Sequence, residues 1–102
     1  MAIKHNVYED GKVQSLGFTS EPSFHNMPGR DVTVGVLEPG KYNFGVAKRR
    51  ETIHVTFGHI AAKGKNVVHS DTSSAEGELV FEEGEEIVLE CQCVTAYICL
   101  YS

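Results

Sequence analysis

The chain lacks a long apolar run, a cationic excess and a helical pattern, and each absence removes a class of protein. No stretch approaches the roughly 20 apolar residues of a membrane-spanning helix. Lys and Arg total 9 against 14 Asp and Glu, a formal net charge of −5. Bulk nucleic-acid binding needs a cationic surface, so it is not expected. The N-terminal residues Met1 to Asn6 contain no apolar secretory segment. Of the three cysteines, Cys91, Cys93 and Cys99, at least one cannot pair within the chain. Reduced thiols and a cytoplasmic location are therefore expected, with Cys91 and Cys93 on one side of a strand. There is no glycine-rich phosphate loop, internal repeat or low-complexity tract. A chain of 102 residues suffices for one domain with one core (1–102), but not for a separate catalytic domain.

Alternation is what the chain does have. Val32 to Val36, Tyr42 to Val46 and Ile53 to Phe57 are β-branched or aromatic at a period of two. Turn signals recur at Glu9-Asp10-Gly11-Lys12, Met27-Pro28-Gly29, Pro39-Gly40, Gly58, Gly64, Gly77 and Gly84. Short strands with close turns predict an all-β sandwich or barrel. A first strand is expected over Lys12 to Phe18, preceded by an N-terminal arm or edge strand within residues 1–8. Thr19 to Gly29 reads as a surface loop, and Lys63 to Glu78 as a polar loop containing a short strand at Val67-Val68.

Three segments carry more than fold class. Glu51-Thr52-Ile53-His54-Val55-Thr56-Phe57-Gly58 is a carboxylate, a strand and a tight turn. Gly40-Lys41-Tyr42-Asn43-Phe44 precedes it, and Phe81-Glu82-Glu83-Gly84 follows. With Gly11 to Phe18, Gly29-Arg30 and the C-terminal Thr95-Ala96-Tyr97-Ile98-Cys99-Leu100-Tyr101, their order resembles the small-cupin pyrimidine/purine nucleoside phosphorylases. The resemblance covers most of the chain from residue 8 onward. It implies an all-β, single-domain cupin antiparallel barrel of jelly-roll type, and a homodimer joined through edge strands. It also implies phosphorolysis: nucleoside and orthophosphate give free base and pentose 1-phosphate, with broad specificity.

A metal-dependent cupin would need histidines in both motifs. The corresponding positions hold Phe44 and Val46, or Gly45 and Ala47, and then Glu90, Gln92 and Thr95. No cofactor or metal is therefore expected, with phosphate as co-substrate. A zinc site built from Cys91, Cys93 and a histidine lacks recognisable ligand spacing. Glu85 to Ser102 contains no glycine or proline, which predicts a last hairpin about eight residues shorter than the family's.

The resemblance assigns roles to five residues. Glu51 is the expected catalytic group, facing inward with Ile53, Val55 and Phe57 and supporting charge on the sugar; a solvated strand-end glutamate is the alternative. Arg30 matches phosphate oxygens with its forked guanidinium, or is a surface arginine. Tyr42 contacts the ribose, and Phe44 and Tyr97 stack the base; core packing is the alternative for each. Lys48, Arg49 and Arg50 read as a solvated turn, and His54 lies on the face opposite Glu51. A non-enzymatic small cupin, serving as a ligand-binding or structural module, is the rival function.

Overall fold

The computed structural model describes residues 2–19, 31–68 and 78–102. Ten strands follow in order: β1 Ala2–Tyr8, β2 Val13–Thr19, β3 Val32–Leu37, β4 Gly40–Val46, β5 Glu51–Phe57, β6 His59–Ala62, β7 Lys65–Val68, β8 Glu78–Phe81, β9 Glu86–Cys91 and β10 Thr95–Tyr101. They form two antiparallel sheets, one ordered β1-β2-β3-β10-β5-β8 and one ordered β4-β9-β6-β7. No helix among the described residues is long and apolar enough to cross a membrane.

Alternation decides which residues meet between the sheets. In β9, Ile87, Leu89 and Cys91 are buried, while Glu86, Val88 and Glu90 point away. In β10, Thr95, Tyr97 and Cys99 are buried. Phe81, Leu37, Ile60, Leu79, Leu89 and Val13 are the largest fully buried apolar side chains, and both sheets supply them. Burying each such side chain contributes about 1.5–3 kcal/mol.

The expected strands over Val32–Val36, Tyr42–Val46, Ile53–Phe57 and Val67-Val68 are present within β3, β4, β5 and β7. The strand expected from Lys12 begins at Val13, after a 3₁₀ turn over Glu9–Gly11. Ahead of it, β1 is an edge strand paired along its length with β2. Residues 20–30, which hold most of the expected Thr19–Gly29 loop, and residues 69–77 lie outside the described residues.

Two placements differ from expectation. Phe57 does not face inward with Ile53 and Val55; it is 63% exposed. The β5–β10 register slips between Ala96 and Tyr97, which pair with Phe57 and Val55 and skip Thr56. One extra residue in a strand reverses the alternation beyond it. Cys91 and Cys93 do not share a side either. Cys91 ends β9 and is buried, whereas Cys93 lies exposed in the short turn to β10.

Candidate functional site

Glu51 opens β5 between two partner strands, opposite Tyr101 of β10 and Phe81 of β8. Its carboxyl lines a cavity of about 520 Å³. Ile53, Ile87 and Leu89 give the cavity an apolar floor, and Tyr8, Phe44 and Tyr97 surround it with aromatic rings. Lys48 and Arg49, in the turn from β4 to β5, line the same space. Cys99 and Tyr101 complete it from β10.

The carboxyl is held from several sides. The Cys99 thiol donates to Glu51 Oε1 at 3.4 Å. Partial burial raises the Glu51 pKa above the ordinary carboxylate range, opposed by the Cys99 hydrogen bond and the Arg49 charge. Burial, with the Glu51 charge next, pushes the Cys99 thiol up to about 12. Burial also pushes Tyr97 up to about 12 and raises Tyr101, so both phenols stay protonated hydrogen-bond donors. The Arg49 guanidinium stacks 5.0 Å from the Tyr101 ring centroid and pairs with Asp31.

Tyr97 owes its place to a glycine. It pairs directly with Gly35 of β3. A Cβ at position 35 would lie 2.4 Å from Tyr97 Cζ, so no other residue leaves room for the ring. Gly58 closes β5 at φ +81°, where a Cβ would lie 2.6 Å from Thr95 Oγ1. That turn lets Thr95 receive the His59 N–H and donate to the His59 carbonyl, which ties β6 to β10.

The structure brings Glu51, Phe44 and Tyr97 into one cavity. Tyr42 lies elsewhere: its ring is buried and its hydroxyl donates to the Glu38 carbonyl at 2.7 Å. It lines a smaller cavity on the other side of Phe44 and Tyr8. Arg30 lies outside the described residues, which resume at Asp31, the partner of Arg49. His54 does lie away from the cavity, 3.6 Å from Glu78. Lys48 and Arg49 were not singled out from the sequence, because a charged run beside a strand usually marks a solvated turn. Their distinguishing signal is position, immediately before the carboxylate that opens β5. Phe44 and Val46, at first-motif metal positions, offer only hydrocarbon to the cavity. Among the described residues, no three His, Cys, Asp or Glu side chains converge as metal ligands would.

Two antiparallel sheets enclosing a single carboxylate and aromatic walls define a cupin-type barrel. Solved structures share it. A protein of unknown function from Vibrio parahaemolyticus superimposes with a TM-score of 0.76 at 30% identity, over 100% of both chains. A cupin-2 domain from Rhodospirillum rubrum, 8% identical, does so with a TM-score of 0.62 over 96% of this chain and 68% of its own. The chain belongs to the pyrimidine/purine nucleoside phosphorylase family, whose model matches residues 3–101. Curated relatives of that name include one from Vibrio parahaemolyticus, 36% identical over 99% of both chains. Another, from Magnetococcus marinus, is 34% identical over 97% of this chain and 98% of its own. The Vibrio relative aligns over 101 residues covering 99% of each chain, which leaves no room for a hairpin eight residues shorter. Glycine and proline are missing from the β9–β10 segment because the turn between them needs only Gln92, Cys93 and Val94.

Proposed function

We propose that this protein catalyses metal-independent phosphorolysis of purine and pyrimidine nucleosides in the 520 Å³ cavity around Glu51. The observation that carries the proposal is the joint placement of one carboxylate, two cations and four aromatic rings in a space of nucleoside size. A phosphate oxygen attacks the anomeric carbon, the glycosidic bond to the base breaks, and the base leaves with a proton from solvent. Lys48 and Arg49 hold the phosphate, and Arg30 keeps the phosphate role that the family resemblance implies. The Arg49 guanidinium is already oriented by Asp31 and the Tyr101 ring. Glu51 supports the positive charge that develops on the sugar. Tyr97 and Phe44 stack the base; ring faces do not read base edges, so both base classes fit. The sugar contact first assigned to Tyr42 passes to Glu51, since the Tyr42 hydroxyl is committed to Glu38.

The donor set supports metal independence: at the metal positions the cavity holds Phe44 and Val46 in place of imidazoles. We also propose a homodimer, which is supported by β1, an edge strand that presents exposed Ile3 and Val7 beside Leu16. Free thiols at all three cysteines suit a cytoplasmic site of action.

Purified protein is incubated with uridine or inosine, with and without phosphate, and free base is quantified before and after chelation. Base release that needs phosphate and survives chelation is expected. Nucleoside binding without base release favours a ligand-binding module, and loss of activity on chelation overturns metal independence.

A further inference from the structure

Three side chains stand beside Glu51 on the same face of the sheet. Tyr101 stands opposite Glu51 across β5 and β10, and Cys99 stands opposite Thr33 across β10 and β3. Thr33 Oγ1 and Tyr101 Oη are 3.0 Å apart, and Cys99 Sγ lies 3.4 Å from Glu51 Oε1. The arrangement has one consistent direction while Glu51 is ionised. A carboxylate only accepts, so Cys99 spends its hydrogen on Glu51. A low-dielectric setting strengthens that hydrogen bond. Cys99 is 2% exposed, so no bulk water substitutes for its thiol.

We propose that Cys99 is the positioning residue of the site: its thiol holds the Glu51 carboxyl ionised and aimed into the cavity. The kinetic consequence rests on the phosphorolysis proposed above; the geometric and titration consequences do not. Other titratable groups facing Glu51 are Lys48 and Arg49 from the preceding turn, Tyr8 from β1, and Tyr97 and Tyr101 from β10. From the facing sheet β4 presents Phe44 and Val46, and β9 presents Ile87 and Leu89, none of which titrates. Only Cys99 donates a hydrogen bond to Glu51 among the described residues.

The test follows the Glu51 carboxyl by ¹³C resonance, assigned by its disappearance in Glu51→Gln, through a pH titration. Cys99→Ala should move the Glu51 midpoint upward, because a donor to the charged form is lost. Cys99→Ser restores a donor and should return the midpoint toward wild type. The acid limb of kcat/KM should move with the midpoint, and Cys99→Ala should lose about ten- to a hundredfold, the ratio that one hydrogen bond to a charged group is worth. A merely structural cysteine would lower melting temperature without moving the midpoint. An unmoved midpoint in Cys99→Ala, or identical midpoints in the Ala and Ser variants, overturns the proposal. Should the Ala variant not fold, Cys99→Val, which fills the same space without a donor, decides: a Cys99→Val midpoint at the wild-type value overturns it. If the midpoints move as stated and no form releases base, the positioning role stands and phosphorolysis is what fails.

Discussion

Gly35→Ala tests how tightly the cavity wall is set. The added Cβ would lie 2.4 Å from Tyr97 Cζ and Oη and 2.6 Å from Cε1. These are rigid ring atoms of a side chain only 7% exposed, so relief requires moving the ring. The Gly35 backbone does not have positive φ, so alanine meets no local strain. Reduced freedom of the unfolded chain would by itself favour alanine by about 0.4–1 kcal/mol. Overpacking costs about 1–3 kcal/mol and outweighs it. A net loss of about 1–2 kcal/mol lowers the melting temperature by about 4–16 °C for a domain of this size. Denaturant melts of Gly35→Ala, Tyr97→Leu and the double variant form a cycle. With the ring gone, Gly35→Ala should be neutral or stabilising, so the pair should couple strongly. A single variant within about 0.5 kcal/mol of wild type, or an additive cycle, would refute the steric account.

Other outcomes follow from the same cavity. Phosphate and nucleoside should each raise the melting temperature, by about 2.7 kcal/mol of stability at a hundredfold excess over Kd; no response to millimolar amounts of either would mean that the cavity does not bind them. Native protein should be alkylated rapidly only at exposed Cys93, since Cys91 is buried and Cys99 is both buried and held protonated to about 12; mass spectrometry after a short iodoacetamide pulse checks this, and fast modification of Cys99 contradicts it. Glu51 titrates above its ordinary value in the folded state, so the fold binds its proton more tightly than the unfolded chain does. Its stabilising share is present below the unfolded value and is lost as pH rises through the raised folded one. Glu51→Gln should therefore melt above wild type at neutral pH and converge with it in acid; equal melting curves at neutral pH would mean the carboxyl is not desolvated. Tyr42→Phe should cost about 0.5–1.5 kcal/mol, the worth of the hydrogen bond to Glu38, with kcat/KM unchanged; a large fall in kcat/KM would return the sugar contact to Tyr42.

Strands were legible where one face is buried, because burial imposes a period of two. β3, β4 and β5 were readable for that reason, and so was the inward direction of Glu51, Ile53 and Val55. Phe57 was not, because the register slip at Ala96/Tyr97 depends on a partner strand about forty residues away in the chain. β1 was visible only as an arm or an edge, since its burial is slight and its pairing to β2 fixes it. The cations do stand in the exposed turn that the sequence suggests, and only their neighbours across it are illegible, for a related reason. Lys48-Arg49-Arg50 looks uniform in sequence, yet the fold turns Lys48 and Arg49 to the cavity and Arg50 toward Glu82 at 3.4 Å. Tyr42 and Phe44 have the same parity, but Gly45, at φ +85°, and the irregular pairing after Asn43 separate their surroundings. The glycine beneath Tyr97 and the thiol beside Glu51 are cross-strand facts, beyond what any single segment states.

The central claim is that Glu51 acts on a nucleoside bound in this cavity with phosphate. Pentose 1-phosphate formation by wild type and Glu51→Gln, at saturating phosphate and neutral pH, tests it most directly. Glu51→Gln keeps the shape of the side chain and removes its charge, and it should fold at least as well. Losing a charged contact made mainly in the transition state should cost roughly 2–4 kcal/mol, or about 30- to 1000-fold in kcat/KM. Product formed by wild type and reduced by that ratio in the variant is the expected result. Equal rates, or no product from a folded wild type that binds both substrates, would contradict the account.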